Sequence, residues 1–241
     1  MNQWQVGVST GISQFKSTDQ LLNSYTYKGI IPAVQLNGGY KTGKNQFRIS
    51  LFSSIGQTSP IDINQQLYDY NYLRVRNFTL VLKYYREVFH SNKLRLHLGI
   101  GYRSNLHYQT EYYKNNLYDY GRGFRKSFAF SATSVSFNSV LTYQPNGKNV
   151  FELQAWYAPL SFSARPIDNY VKQLGYSTKP KWELLGGQHY VACQFSFIYK
   201  RRIGATLDLK LEGKTRFQYY NYQDRCAYLS NMILLGVEKR F

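Results

Sequence analysis

The sequence has only two cysteines, Cys193 and Cys226, among its 241 residues. Two cysteines are too few for a disulfide framework or for a zinc site made of cysteine ligands. Acidic residues are also scarce, since 13 Asp and Glu stand against 30 Lys and Arg and leave a formal net charge of +17. Such a charge indicates anionic surroundings, such as phosphate-bearing lipid, acidic glycan or nucleic acid, without choosing among them.

Long apolar runs are missing as well. No stretch reaches the roughly 18 consecutive apolar residues of a transmembrane helix, which excludes that kind of membrane span. Met1 is followed by neither the basic region nor the long apolar region of a secretory signal. If the chain is exported, we therefore expect these residues to belong to the mature protein.

Aromatic and small residues are abundant, with 24 Tyr and 18 Gly, and this composition excludes a disordered chain. Runs with helical spacing are lacking, whereas period-two alternation of apolar and polar residues dominates, which predicts an all-β fold in a single domain over residues 1–241. Ten segments can be written as strands, at roughly 3–15, 30–41, 46–56, 74–86, 93–104, 127–143, 149–162, 188–200, 203–217 and 227–241.

The links between these segments alternate in length. Short links such as Thr42-Gly43-Lys44-Asn45 contain Gly, Asn or Pro, which suit the backbone angles of tight hairpins. The long links cover 16–29, 57–73, 105–126, 163–187 and 218–226. Short and long links therefore lie at opposite ends of one antiparallel meander, and an even number of strands places both termini at the end with the short turns.

Each strand has an apolar and a polar face. In the first strand Trp4, Val6, Val8 and Ile12 share the apolar face, opposite Gln, Ser and Gly. This alternation fits a soluble barrel or sandwich with the apolar face inward, and equally a membrane barrel with that face outward. The faces of segment 127–143 cannot be assigned, because Ser and Phe occur on both.

Aromatic residues distinguish the two structures. At the end with the short turns, the apolar face finishes in an aromatic residue on many strands: Trp4, Tyr40, Phe47, Tyr84, Tyr143, Phe151, Tyr199 and Phe241. Amphipathic rings at one height match the belt at a membrane interface. We therefore predict a transmembrane barrel, closed between its first and last strands because an open edge in lipid would leave backbone groups unpaired.

Alternating tight turns and long loops, and a final strand ending Leu235-Gly236-Val237-Glu238-Lys239-Arg240-Phe241, resemble a bacterial outer-membrane β-barrel protein. The terminal Phe241 is similar to the signal read by the barrel-assembly machinery, although Lys239 departs from the usual apolar residue. The basic, tyrosine-rich composition is similar to that of barrels from the Bacteroidota. The resemblance implies the bacterial outer membrane, with short turns in the periplasm and long loops outside.

A ten-stranded barrel is only slightly wider than the eight-stranded kind that side chains just fill, so we expect a plugged lumen. The predicted polar network comprises Arg48, Arg95, His97, Arg103, Glu152, Asp208, Lys210 and Glu212. Buried charges require partners, which favours a network of salt bridges. The alternative is a narrow anion-preferring channel or a ligand pocket.

A third alternative is a hydrolase that acts on lipid or peptide. It needs a nucleophile or paired carboxylates beside a histidine. His107 and His189 are expected near the outer rim, with Ser104 and Asp119 in the neighbourhood. No spacing matches either kind of barrel hydrolase, so we predict no enzymatic activity, no cofactor and no metal site.

The long links are rich in tyrosine, which offers rigid contact area with a polar tip. The predicted binding residues are Tyr112, Tyr113, Tyr118, Tyr120, Tyr219 and Tyr220. Alternatively, the strands continue beyond the membrane and these tyrosines pack the protruding hairpins. Basic residues of the same links are expected near the outer leaflet, where they could bind lipopolysaccharide phosphates. Their spread over both rims argues against nucleic acid.

The sequence therefore predicts a non-enzymatic binding or structural barrel that contacts outer-membrane lipid or lipopolysaccharide. A protein partner in a larger outer-membrane assembly is a further expectation. Cys193 and Cys226 are separated by one intervening strand, too far for a disulfide, and are expected to be free thiols.

Overall fold

The computed structural model describes residues 2–19, 26–60, 72–112, 125–164, 182–222 and 224–241. These residues form the strands β1 (Asn2–Asp19), β2 (Thr26–Thr42), β3 (Asn45–Pro60), β4 (Tyr72–His90), β5 (Leu94–Tyr112), β6 (Arg125–Tyr143), β7 (Asn149–Ala164), β8 (Trp182–Gly186), β9 (Tyr190–Ile203), β10 (Leu207–Tyr222) and β11 (Asp224–Arg240). None of the described residues belongs to a helix long and apolar enough to cross a membrane.

The strands form one antiparallel sheet that closes on itself. Consecutive strands pair from β1 to β7, β9 pairs with β7 and β10, and β11 pairs with both β10 and β1. Closure gives each long strand a partner on both edges. In a membrane this is required, because the hydrocarbon layer offers no water to pair with free backbone N–H and C=O groups. The predicted all-β antiparallel barrel, closed between its first and last strands, is confirmed.

One short strand, β8, is not predicted from the sequence. β8 lies in the stretch expected to be a long link and pairs with β7 from Leu160 to Ala164, beyond the part of β7 that pairs with β9. β8 and β9 thus share one position in a barrel wall of ten. Gly187 turns the chain between them with φ of 58°, a left-handed conformation that glycine adopts without a steric penalty.

A bulge in β7 lies beside Pro159. Val135 of β6 pairs with Leu160, whereas Phe137 pairs with Tyr157, so β7 contains one extra residue. Proline has no N–H to donate to the neighbouring strand, and a bulge is one of the places in a sheet that tolerates it.

The faces of β6, which the sequence leaves open, are assigned by burial. Val135 and Phe137 are exposed on the outside of the barrel. The buried inward side chains are Phe130, Ala132, Ser134, Ser136, Asn138 and Val140. Small serines on both faces explain why alternation alone does not decide the orientation of this strand.

The barrel is inverted relative to a soluble one. Leu235 and Phe195 are 64% and 65% exposed on the outside, while their sequence neighbours Leu234 and Ser196 are buried inside. A contiguous apolar exterior around a polar interior is the arrangement of a transmembrane β-barrel. The predicted outward orientation of the apolar face is confirmed.

The aromatic belt lies at the end of the barrel that carries the short turns, called the turn end below. Trp4, Tyr40, Phe47 and Tyr84 are successive cross-strand partners. The ring centroids of Trp4 and Tyr40 are 4.5 Å apart, and the Tyr84 hydroxyl donates to Asn45 Oδ1 at 2.8 Å beside the turn. Rings against the apolar band with hydroxyls toward the turns give the orientation expected at a membrane interface.

Towards the opposite end, called the link end, the two faces exchange character. On β1 to β4 and on β11 the exposed outer residues become polar: Gln14, Lys16, Lys28, Gln57, Arg74, Arg76 and Asn231. On β7 and β8 the outer side stays apolar, with Phe162, Trp182 and Leu184 exposed. The buried inner residues become apolar, among them Phe15, Tyr27, Leu73, Val75 and Tyr228. The strands therefore continue past the hydrocarbon layer, and their ends pack around an apolar core as in a soluble barrel.

Candidate functional site

Glu152 on β7 is the centre of an ion-pair cluster in the part of the lumen nearer the turn end. Its Oε2 lies 2.9 Å from Arg48 Nη1, and its Oε1 lies 3.3 Å from Lys200 Nζ. Lys200 also pairs with Glu238 at 3.0 Å, and Gln154 Nε2 donates to Glu152 Oε2 at 2.9 Å. The cluster links β3, β7, β9 and β11 across the lumen through buried side chains and the half-buried Arg48.

A second cluster lies along β10. Glu212 Oε2 is 2.7 Å from Lys210 Nζ, and Glu212 Oε1 is 3.3 Å from Lys214 Nζ. Gln35 of β2 completes it, since its Nε2 donates to Glu212 Oε2 at 3.2 Å and its Oε1 accepts from Lys214. This cluster holds two cations for one carboxylate.

Near the turn end, Asp208 joins the last two strands. Its Oδ2 lies 3.0 Å from Arg240 Nε. On the other side of the lumen, His97 Nε2 is 3.7 Å from Glu87 Oε2, and Arg95 lies two residues before His97 on the same face with a partly exposed side chain. These groups form the rim of the polar interior.

Three further lumenal cations contact no carboxylate among the residues that the structure describes. Arg103 is 4% exposed, and its guanidinium carbon lies 4.4 Å from the ring centroid of Trp156. Lys83 points inward from β4. Arg216 donates to neutral acceptors: Thr79 Oγ1 at 3.2 Å, Asn105 Oδ1 at 2.7 Å and Gln218 Oε1 at 3.1 Å.

A cavity of about 90 Å³ lies between these groups. Seven lysines and arginines line it, against the two carboxylates of Glu212 and Glu238. The lining is drawn from β1 to β5, β7 and β9 to β11, so the cavity is the middle of the lumen itself. We call this region the charged layer.

Between the charged layer and the link end, aromatic rings fill the lumen. We call this group the aromatic plug; it is formed by Phe15, His107, Phe130, Tyr220 and Tyr228. The ring of Tyr228 lies 4.3 Å from that of His107, 6.0 Å from Phe15 and 6.2 Å from Phe130, measured between centroids. None of the five side chains belongs to a residue more than 7% exposed. The rings come from β1, β5, β6, β10 and β11 and meet across the barrel.

All eight residues of the predicted polar network lie on the inward face. The structure brings Arg48 together with Glu152, and Lys210 with Glu212, in direct ion pairs. Arg103 lies instead against an aromatic ring. Lys200 is absent from the predicted network, although its alternation with the outward Tyr199 indicates the inside of the barrel.

The predicted binding tyrosines are placed only in part. Tyr113, Tyr118, Tyr120 and the side chain of Tyr112 lie outside the described residues. Tyr219 faces outward, with its ring 6.5 Å from that of Phe217. Tyr220 lies inside, 5.3 Å from Phe130 in an edge-to-face contact, a position that fits the alternative in which tyrosines pack a protruding hairpin.

The residues considered for a hydrolase do not converge. Ser104 and His107 lie on opposite faces of β5, because they are three positions apart on a strand, an odd number. His107 belongs to the plug, His189 is exposed beside the backbone oxygen of Asn221 at 2.8 Å, and Asp119 is not among the described residues. Within the described ranges there is no group of three or more His, Cys, Asp or Glu that could hold a metal ion.

Cys193 and Cys226 are not joined by a disulfide. Cys193 faces outward on β9, and Cys226 is buried inside the barrel on β11. Their opposite orientations agree with the separation expected from the sequence.

No protein-family model matches the chain, and no curated protein matches it by sequence. Among solved structures, the translocator domain of the autotransporter NalP from Neisseria meningitidis is 12% identical, covers 99% of this chain and 88% of its own, and has a TM-score of 0.46. Neisserial surface protein A has corresponding values of 8%, 99%, 97% and 0.38. Ail of Yersinia pestis, solved with the heparin analogue sucrose octasulfate, has values of 10%, 99%, 99% and 0.40. These similar structures are bacterial outer-membrane β-barrels, and the likeness is one of general architecture.

Proposed function

We propose that the protein is a non-enzymatic, non-conducting barrel of the bacterial outer membrane that serves as a binding or structural platform. The observation that supports this function best is the aromatic plug, whose rings meet across the whole lumen. On the turn-end side of the plug, the cavity of the charged layer measures about 90 Å³ and has room for roughly three water molecules, at about 30 Å³ each. Among the described residues, the plug leaves a hydrated ion no continuous path from the charged layer to the link end.

The proposed interaction surface is the link end, which faces the outside of the cell. Tyr219 and the tyrosines of the long links, Tyr112, Tyr113, Tyr118 and Tyr120, contribute the contact area. A protein partner that binds there would make the barrel one subunit of a larger assembly in the membrane.

Exposed cations at the link end supply a second kind of contact. Lys16 and Lys28 are direct cross-strand partners, and Arg74 and Arg76 lie on the same outer side of β4. Like charges directly opposite each other are destabilising. Phosphate groups of lipopolysaccharide would relieve that repulsion, because they accept charge-assisted hydrogen bonds from such side chains.

Conductance measurements test the non-conducting barrel. Purified protein reconstituted into planar lipid bilayers in concentrated potassium chloride is expected to give no single-channel steps, whereas a porin inserted in the same way gives them. Regular steps whose frequency rises with the amount of protein would overturn the proposal and favour the narrow channel.

Lipopolysaccharide binding tests the cationic contact. Lys16→Gln with Lys28→Gln is expected to weaken binding to lipopolysaccharide vesicles by about 30-fold at low salt, since each lysine near an anionic membrane surface contributes about 1 kcal/mol. The control is Lys239→Gln, an exposed outward lysine at the turn end. Equal effects of the two changes would contradict a specific contact at the link end.

A further inference from the structure

Arg103 is a buried cation whose charge is not balanced by any residue that the structure describes. Its guanidinium carries five N–H donors, and its one recorded contact is the face of Trp156. A desolvated cation–π contact contributes about 2 kcal/mol. That is less than the several kcal/mol needed to remove an ion from water, so the geometry leaves Arg103 short of a counter-charge.

The neighbourhood of Arg103 has the same imbalance. Arg216 is 6% exposed and donates to neutral oxygens, and Lys83 lines the same cavity. Even when Glu152, which pairs with Arg48 and Lys200, is counted with the two lining carboxylates, four positive charges of the seven in the lining are in excess. Bulk water and salt do not screen these charges inside a barrel wall as they do at a surface.

The carboxylates near the cavity do not repel an incoming anion strongly. Glu212 is held by Lys210 and Lys214, and Glu238 by Lys200. Each carboxylate is therefore already neutralised by a cation within hydrogen-bonding reach, and the positive charge that is left over belongs to Arg103, Arg216, Lys83 and one of the two lysines at Glu212.

We propose that the charged layer binds one small oxyanion of the phosphate or sulfate class, with Arg103 and Arg216 as its principal donors. The planar fork of arginine matches the paired oxygens of such anions. The cavity of about 90 Å³ sets the size limit. Larger organic phosphates are excluded, since pockets for drug-sized ligands measure about 300–1,000 Å³.

Trp156 gives a direct readout of this site. The other two tryptophans, Trp4 and Trp182, are 59% and 45% exposed near the two ends of the barrel. Trp4→Phe with Trp182→Phe leaves one indole, which lies under Arg103. Titration of this folded protein in detergent with sodium phosphate, and separately with sodium sulfate, is expected to change its fluorescence in a saturable way. Sodium chloride at the same ionic strength is expected to give no saturable change.

Charge-neutral variants locate the response. Arg103→Gln is expected to weaken the affinity at least tenfold, and Arg216→Gln provides a second, independent change in the same cavity. Lys239→Gln, an exposed residue on the outer side of β11 at the turn end, is the control with unchanged affinity. Folding of each variant is verified by its heat-modifiable migration on a denaturing gel, so that loss of the site is distinguished from loss of the barrel.

A response to phosphate alone or to sulfate alone would support the site and identify its preferred anion. Absence of a saturable response to both anions in the folded parent would overturn the proposal. Unchanged affinity in the folded Arg103→Gln and Arg216→Gln variants would overturn it equally, because the fluorescence change would then come from elsewhere.

Discussion

Replacement of Glu152 by alanine is expected to destabilise the folded barrel by about 3–5 kcal/mol, the usual penalty for removing one partner of a buried ion pair. Glu152 is 5% exposed and contacts both Arg48 and Lys200. Without it, Lys200 keeps Glu238 as a partner, but Arg48 keeps only neutral groups: Gln46 Oε1 at 3.2 Å, and the ring of Tyr85, whose centroid lies 5.6 Å from the guanidinium carbon. An arginine with no counter-charge would then be buried in the lumen.

Equilibrium unfolding by urea in lipid vesicles measures this loss, from the shift of the transition midpoint at constant slope. Glu87→Ala is the matched control. It also removes an inward carboxylate, but one at the rim whose recorded partners are histidines, and His90 has a side chain 52% exposed. We expect the control to lose less than Glu152→Ala, because a histidine, unlike an arginine, can be neutral and so leaves no fixed unpaired charge when Glu87 is removed.

A double variant separates the missing charge from the missing side chain. Arg48→Met with Glu152→Met removes both charges and is expected to be more stable than the sum of the two single effects predicts, because no unpaired ion is left. A loss below about 1 kcal/mol for Glu152→Ala would mean that the charged layer is well hydrated. That outcome would also weaken the case for a closed lumen.

The faces of most strands can be predicted from the sequence because side chains alternate strictly along a strand. Arg48, Glu152 and Glu212 could be placed inside the barrel from their position relative to outward apolar neighbours. The same rule fails where alternation carries no signal, as in β6 with its serines on both faces. It also fails beyond Pro159, where the bulge shifts the phase of β7 by one residue.

Partners across the lumen could not be predicted in the same way. Which cation meets which carboxylate depends on the stagger of the strands around the barrel, and local patterns do not specify that stagger. Lys200 illustrates the point, since its role in joining Glu152 to Glu238 emerges only from the closed barrel. Arg103 illustrates the reverse, because a place in an ion-paired network was expected and an aromatic ring is its recorded partner.

The exchange of faces at the link end was foreseen only as an alternative for the tyrosines. Phe15 follows Ser9 and Ser13 on the inner face of β1, so one face of a single strand changes from polar to apolar along its length. This change marks where the wall leaves the membrane and where the lumen closes. The aromatic plug is therefore a consequence of strands that are longer than the hydrocarbon layer is thick.

Removal of rings from the plug is expected to convert the silent barrel into a conducting one. Tyr228 lies between His107, Phe15 and Phe130. Replacing Tyr228 and Phe130 with serine removes two of the five rings and leaves those of Phe15, His107 and Tyr220. The wall itself is held by backbone pairing of neighbouring strands, which the substitutions do not touch. We therefore expect single-channel steps in planar bilayers where the parent gives none.

Each truncation of a buried ring is expected to lower the free energy of unfolding by about 3–5 kcal/mol. Tyr228→Ser alone is therefore the milder variant. Folding of each variant is verified before its conductance is compared with that of the parent. Phe217→Ser is the matched control, because this ring lies on the outer face of β10 and its loss opens no passage. A folded plug variant that stays silent would show that the charged layer closes the lumen by itself.

The selectivity of the opened barrel follows from the charge beneath the plug. Permeating ions must pass the charged layer, whose lining holds seven cations and two carboxylates, and a pore ringed by lysine and arginine favours anions. In a potassium chloride gradient, the reversal potential of the plug variant is expected to have the sign of chloride permeation. Adding Arg103→Gln and Arg216→Gln is expected to reduce that potential. A cation-selective current would contradict the positive charge of the lumen, because the lysines and arginines that attract a bound oxyanion must also attract chloride as it passes.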